Sequence, residues 1–138
     1  MVKHLQKGLT YLPIFKSKLE ERVWAVLKEH FPQTKYEPEK FKYIQPAADR
    51  TYTPDFKTGR RKIFLEAKGK LDLETRKKML WFRDSNPDVR VIFLFQNADN
   101  KLTKKSKTTY GDWATANNFE WLDYRKNWLN DYKELCAK

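Results

Sequence analysis

Apolar residues recur at helical spacing over residues 17–31, where Leu19, Val23, Val26, Leu27 and Phe31 share one face. Ser17 followed by Glu20 has the pattern of a capping box at the start of that helix, and Pro32 closes it. The pattern then shortens. Residues 40–44, 50–56 and 62–68 read as strands, and the turn Lys57-Thr58-Gly59-Arg60 predicts that the last two pair as a hairpin. Gly69 ends the third strand. Asp72 is positioned to cap a second helix, which carries Leu73, Met79, Leu80 and Phe82 and stops at about Ser85, before Pro87. Residues 89–95 are apolar on both faces, as expected of a central strand covered on both sides. A short helix over 110–116, a strand over 119–121 and a last helix from Asp123, carrying Tyr124, Trp128, Tyr132 and Leu135, complete the pattern. The order α, three β, α, β, α, β, α predicts an α/β or α+β fold around a mixed sheet.

Composition narrows the class. The chain has 138 residues with no internal repeat and no Gly/Ser-rich linker, which suits a single domain and excludes two independent ones. Hydrophobic residues at 40% and aromatics at 15% exclude a disordered basic tail. The longest apolar run, Val91 to Phe95, is far short of the ~20 residues a bilayer requires, and no signal-like apolar stretch opens the chain, so a soluble, unsecreted protein is expected. A net charge of +11 points to a polyanionic partner. The basic residues concentrate twice, at Lys3, Lys7, Lys16 and Lys18 near the start and at Lys101, Lys104, Lys105 and Lys107 in a loop over 96–108. Both stretches read as mobile, solvated segments able to touch phosphate, with solubility alone as the plain alternative. One cysteine, Cys136, and two distant histidines, His4 and His30, cannot build a disulfide or an ordinary zinc site. Any metal must therefore be held by oxygen.

The stretch Thr51-Tyr-Thr-Pro-Asp55-Phe, followed by Ile63-Phe-Leu-Glu66-Ala-Lys68, carries the candidate chemistry. On a strand, Phe64, Glu66 and Lys68 share one face and Ile63, Leu65 and Ala67 the other, placing Glu66 and Lys68 about 6 to 7 Å apart. A hairpin would bring Asp55 to the same spot. Two carboxylates and the Ala67 carbonyl then form a hard, all-oxygen half-shell suited to Mg²⁺ or Mn²⁺, with Lys68 beside it to handle a proton or offset phosphate charge. The alternative is an exposed Glu66–Lys68 ion pair on an edge strand, with Asp55 as a turn residue. Glu20 likewise has two readings: a helix cap, or a third acid holding a second metal.

Taken together, these blocks resemble the bacteriophage endonuclease I enzymes, junction-resolving nucleases of the PD-(D/E)xK superfamily. The resemblance runs from about Phe15 to Trp121, through Phe15-Lys-Ser-Lys-Leu-Glu20-Glu, Tyr43-Ile-Gln-Pro46-Ala, the Asp55 and Glu66-Ala-Lys68 blocks, Asp72 to Arg76-Lys77-Lys78, and Thr108-Thr-Tyr-Gly111. It implies a restriction-endonuclease-like core with a central mixed sheet flanked by helices, in an intertwined homodimer. Residues 1–45 would swap to the partner, with Pro46 in the bridging segment and 46–138 forming the core. It further implies Glu20, Asp55, Glu66 and Lys68 as the catalytic set, with Asp55, Glu66, Ala67 and Glu20 toward metal. Ala67 stands where the family is expected to have Thr, the turn over 57–62 is more basic than expected, and the correspondence is expected to fade after Trp121.

The expectation is thus a Mg²⁺-dependent endodeoxyribonuclease, with Mn²⁺ able to substitute, resolving four-way and other branched DNA junctions in the cytoplasm of a phage-infected host. DNA would be held by shape and backbone through Lys16, Lys18, Arg50, Arg76, Lys77, Lys78 and the Lys101, Lys104, Lys105 and Lys107 loop. No membrane or small-molecule cofactor is expected. The rivals are a sequence-dependent or mismatch-nicking nuclease of the same superfamily and a non-catalytic basic nucleic-acid binder, the latter distinguished by having no metal-dependent turnover.

Overall fold

Local caps set the helices. The computed structural model of the chain describes residues 12–45 and 48–138, with the side chains of Ala48 and Asp49 outside that description. Pro46, Lys3 and Lys7, to which roles were assigned above, lie outside the described residues. Helix α1 (Lys18–His30) begins where the Ser17 side chain accepts the Glu20 N–H, and α2 (Leu73–Ser85) where Asp72 accepts the Thr75 N–H. A complete capping box, Thr109 with Asp112, starts α3 (Tyr110–Ala116). The last helix, α4 (Trp128–Ala137), starts later than its apolar pattern suggests. Asp123 does not cap it. The buried Asp123 carboxylate instead accepts the Ala98 N–H and pairs with Arg125, pinning the end of a strand to the loop after its neighbour.

The strands are β1 (Lys35–Tyr36), β2 (Phe41–Gln45), β3 (Ala48–Tyr52), β4 (Phe56–Lys57), β5 (Ile63–Lys68), β6 (Arg90–Phe95) and β7 (Glu120–Asp123). Five form one mixed sheet in the order β1-β4-β5-β6-β7, with β5, β6 and β7 parallel and β4 antiparallel to β5. The expected hairpin between 50–56 and 62–68 is corrected here. The first run divides at Thr53-Pro54, because Pro54 has no N–H to continue a ladder. Its first part, β3, pairs with β2 in a separate two-stranded ribbon, and only Phe56 and Lys57 pair with β5, opposite Leu65 and Phe64.

Both faces of the sheet are covered. Phe64, Val91, Phe93 and Phe95 pack on one side against Met79 and Phe82 of α2, Trp113 of α3, and Tyr43 and Tyr52 of the ribbon. Ile63, Leu65, Ala67, Ile92 and Leu94 pack on the other against Leu19, Val23, Trp24 and Leu27 of α1 and Trp128 and Tyr132 of α4. This is an α/β sandwich of three layers, which agrees with the mixed α/β class read from the element order. It also means that β5 is an interior strand, so no charge on it is surface decoration. Among the described residues no helix is long and apolar enough to cross a membrane.

Candidate active site

The charged residues of β5 sit in its second half, on the face that Phe64 begins. Glu66 is only 4% exposed, and its carboxylate is held at both ends. Oε1 accepts the Tyr52 hydroxyl at 2.6 Å and the Asp55 backbone N–H at 3.1 Å, while Oε2 lies 3.3 Å from Lys68 Nζ. Asp55 follows the Thr53-Pro54 break, and its Oδ2 accepts the Ala67 N–H at 2.9 Å. The convergence expected of Asp55, Glu66 and Lys68 is therefore present, reached through the Pro54 break rather than a long hairpin. Burial excludes the exposed ion-pair alternative.

Glu20 comes from the other side of the sheet. Its N–H donates to Ser17 Oγ as a cap requires, but its own carboxylate, buried on α1, accepts the Lys16 N–H at 3.1 Å and the Tyr36 hydroxyl at 2.5 Å. One residue thus both begins the helix and projects a carboxylate toward Asp55. The Asp55 carboxyl is pushed up to about 9 by burial first, then by the negative charges of Glu66 and Glu20. Lys68 offsets only part of this. The centre is short of positive charge.

That shortage, together with hard oxygen donors, fits a small divalent cation. Asp55 and Glu66 are the side chains best placed to hold one. Among the described residues, no three Asp, Glu, His or Cys side chains stand close enough to cage an ion unaided, so the remaining positions would fall to backbone, solvent or substrate. Glu20, tied to Tyr36, stands next to this pair rather than within one three-acid cluster.

Sequence reasoning missed Tyr36, Tyr52 and Glu37. Glu37 has φ of 46°, a left-handed conformation uncommon for a non-glycine residue, while its N–H donates to the Asp55 carbonyl and its carboxylate pairs with Lys16 at 2.7 Å. Tyr52 lies within the Thr51-to-Phe56 block, but only the fold shows its hydroxyl reaching Glu66. The expected phosphate-contacting residues divide into groups. Arg50, Lys77 and Lys78 line a cleft of about 480 Å³ between the β2–β3 ribbon and α2, walled by Tyr43 and Trp81. Lys78 is partly buried over the Tyr52 ring, at 5.5 Å, and its pKa is lowered by burial and by Lys68. Arg76 is half-buried on the same helix, and Lys18 is exposed at the start of α1. Lys101, Lys104, Lys105 and Lys107 are exposed on a loop expected to be mobile, but that loop is internally hydrogen-bonded, with Lys101 bridged to Thr109 and Leu102 N–H donating to the Thr108 carbonyl.

A family model described as phage endonuclease I matches residues 1–137. The chain belongs to the phage endonuclease I family. Endonuclease I of Escherichia phage T7 is 32% identical over 130 residues, spanning 93% of this chain and 87% of its own length. Endodeoxyribonuclease 1 of Enterobacteria phage T3 is 35% identical over 109 residues, spanning 79% of this chain and 71% of its own. The family match continues through α4, past Trp121, where the resemblance was expected to fade. As a member of the phage endonuclease I family the chain is an enzyme, and the rival reading as a non-catalytic basic binder is set aside.

Proposed function

We propose that this endonuclease is an endodeoxyribonuclease that hydrolyses phosphodiesters at four-way (Holliday) and other branched DNA junctions, with Mg²⁺ as its cofactor and Mn²⁺ able to replace it. The observation that carries the reading is the meeting of a buried Glu66, an Asp55 pushed up by burial and by its neighbours, and the Lys68 ammonium at one end of β5. A divalent ion held by Asp55 and Glu66, with the Ala67 carbonyl and Glu20 in support, would polarise the phosphate and activate water. Lys68 orients the attacking water or meets charge gathering on the phosphate oxygens, from a position fixed by its contact with Glu66. As water adds to phosphorus, one backbone P–O bond breaks and the departing oxygen is protonated. Glu20 adds negative charge beside Asp55, strengthening the pull on a cation.

Recognition rests on shape and backbone. Arg50, Lys77 and Lys78 in their cleft supply positive charge beside α2, and Lys16, Lys18, Arg76 and the Lys101 to Lys107 loop add more elsewhere on the chain, a distribution suited to phosphate contacts. A synthetic four-way junction should accordingly be cut in Mg²⁺ and left intact in EDTA, with linear duplex of the same sequence cut far more slowly. Equal cutting of linear duplex, varying with its sequence, would instead favour the restriction-type or mismatch-nicking alternative.

The working form in this reading is a homodimer in which residues 1–45 cross to the partner, within the cytoplasm of a phage-infected host. Exchange of an identical element costs little, since the packing of α1 on β5 is rebuilt between chains. Mixing and refolding a Glu20→Ala chain with an Asp55→Ala chain should then restore one intact site per heterodimer and recover nicking. If each variant is inactive alone and the refolded mixture shows no recovery, Glu20 works in its own subunit.

A further inference from the structure

Two glutamates at the site are held in the same way, from opposite sides of the sheet. Glu66 Oε1 accepts one phenol, Tyr52, and one backbone N–H, that of Asp55. Glu20 Oε1 accepts one phenol, Tyr36, and one backbone N–H, that of Lys16. In each case both donors converge on Oε1, and Oε2 takes no part in those bonds; on Glu66 it faces the Lys68 ammonium at 3.3 Å, a contact a bound cation would have to share or displace. Such a clamp fixes the plane of the carboxylate and lowers the donor strength of the occupied oxygen. It favours single-oxygen ligation, which suits a small ion with a demanding octahedral shell.

The tyrosines are built for this. The Tyr52 hydroxyl is buried, and its ring packs edge-on against Phe82 at 4.6 Å between centroids. The Tyr36 ring packs against Phe15 and Phe56 at 4.8 and 5.6 Å. Both rings are anchored by their neighbours independently of their hydroxyls, so each hydroxyl can be removed while the packing remains.

We propose that Tyr52 and Tyr36 are positioning residues, each locking one oxygen of its glutamate so that only the other is offered to a divalent cation. The proposal rests on the metal-dependent reading of the site. Tyr52→Phe and Tyr36→Phe test it without opening a cavity, and the primary readout is Mn²⁺ binding to metal-free protein by calorimetry. The expected result is a Kd raised about tenfold to a hundredfold in Tyr52→Phe, with a shift in the same direction in Tyr36→Phe. Half-maximal junction cutting should move to correspondingly higher Mn²⁺, while the rate at saturating metal stays within several-fold of the parent. Parent-like Mn²⁺ affinity in both variants overturns the proposal and leaves the metal-dependent reading standing. A parent protein that binds no Mn²⁺ overturns both. A loss of cutting that saturating metal does not restore, with Mn²⁺ affinity unchanged, also counts against it.

Discussion

Lys68→Ala is expected to slow cutting of a four-way junction by about a hundredfold or more, the scale of a lost proton-handling group, while leaving junction binding in EDTA near that of the parent. Among the described residues Lys68 is the one ammonium in direct contact with Glu66, at 3.3 Å, and its side chain is about one-fifth exposed. It closes the buried site toward solvent, where a DNA backbone can reach it. Because Lys68 ends β5 and contributes nothing to either apolar cluster, its truncation should leave the fold in place. Asp55→Ala should be at least as damaging, since it removes a ligand for the cation. Single-turnover cutting beside a binding titration separates the two effects. Unimpaired cutting by Lys68→Ala would remove the ammonium from the chemistry and leave the Glu66–Lys68 contact a structural ion pair.

How much of this was legible in the sequence depends on how local each determinant is. Helices α1 and α2 were readable because Ser17 and Asp72 meet backbone N–H groups within three residues, and β6 because an apolar run on both faces has few other uses. The division of 50–56 was not readable as strand pairing, although Pro54 marked it. Tyr52 has partners in β2 and at Glu66 that alternation does not reveal. Asp123 reads as the start of the last helix because the apolar spacing of Tyr124, Trp128, Tyr132 and Leu135 runs back to it. Its true partners, Ala98 and Arg125, depend on the loop after β6 folding back. At the site, Asp55, Glu66 and Lys68 carried a recognisable spacing. Tyr36 and Glu37 carried none, since a phenol sixteen residues from Glu20 and a left-handed backbone turn become meaningful only once α1 and β1 meet. Glu20 was ambiguous for a physical reason: its N–H meets Ser17 at the start of the helix while its carboxylate is held by Lys16 and Tyr36 and acts on Asp55, so spacing alone did not separate a cap from an acid beside the site.

Metal-free protein is expected to lose stability as pH rises, and Asp55→Asn is expected to abolish most of that loss. Asp55 titrates near 4 in an unfolded chain, while in the folded protein burial, followed by Glu66 and Glu20, pushes it up to about 9. Between those values the native state binds a proton that the unfolded state has released, so stability present below about pH 4 drains away as the pH climbs toward 9. Each unit of the raised pKa corresponds to about 1.4 kcal/mol, so even a small part of the shift makes Asp55→Asn more stable than the parent at pH 8, by about 2 kcal/mol. As the pH falls below about 4 the two should converge, because Asp55 then comes to carry its proton in both states. Mn²⁺ should raise the denaturation midpoint of the parent at pH 8 by binding the native state, and should do so much less for Asp55→Asn. Denaturant titrations at pH 4, 6 and 8, with and without Mn²⁺, read these differences directly. Parallel pH profiles for parent and variant would mean that Asp55 is not strained by its neighbours. If the profiles diverge as expected, the residue that weakens the empty protein is the one that makes it ready for a cation, and loss of activity in Asp55→Asn would accompany a gain in stability that a folding defect cannot produce.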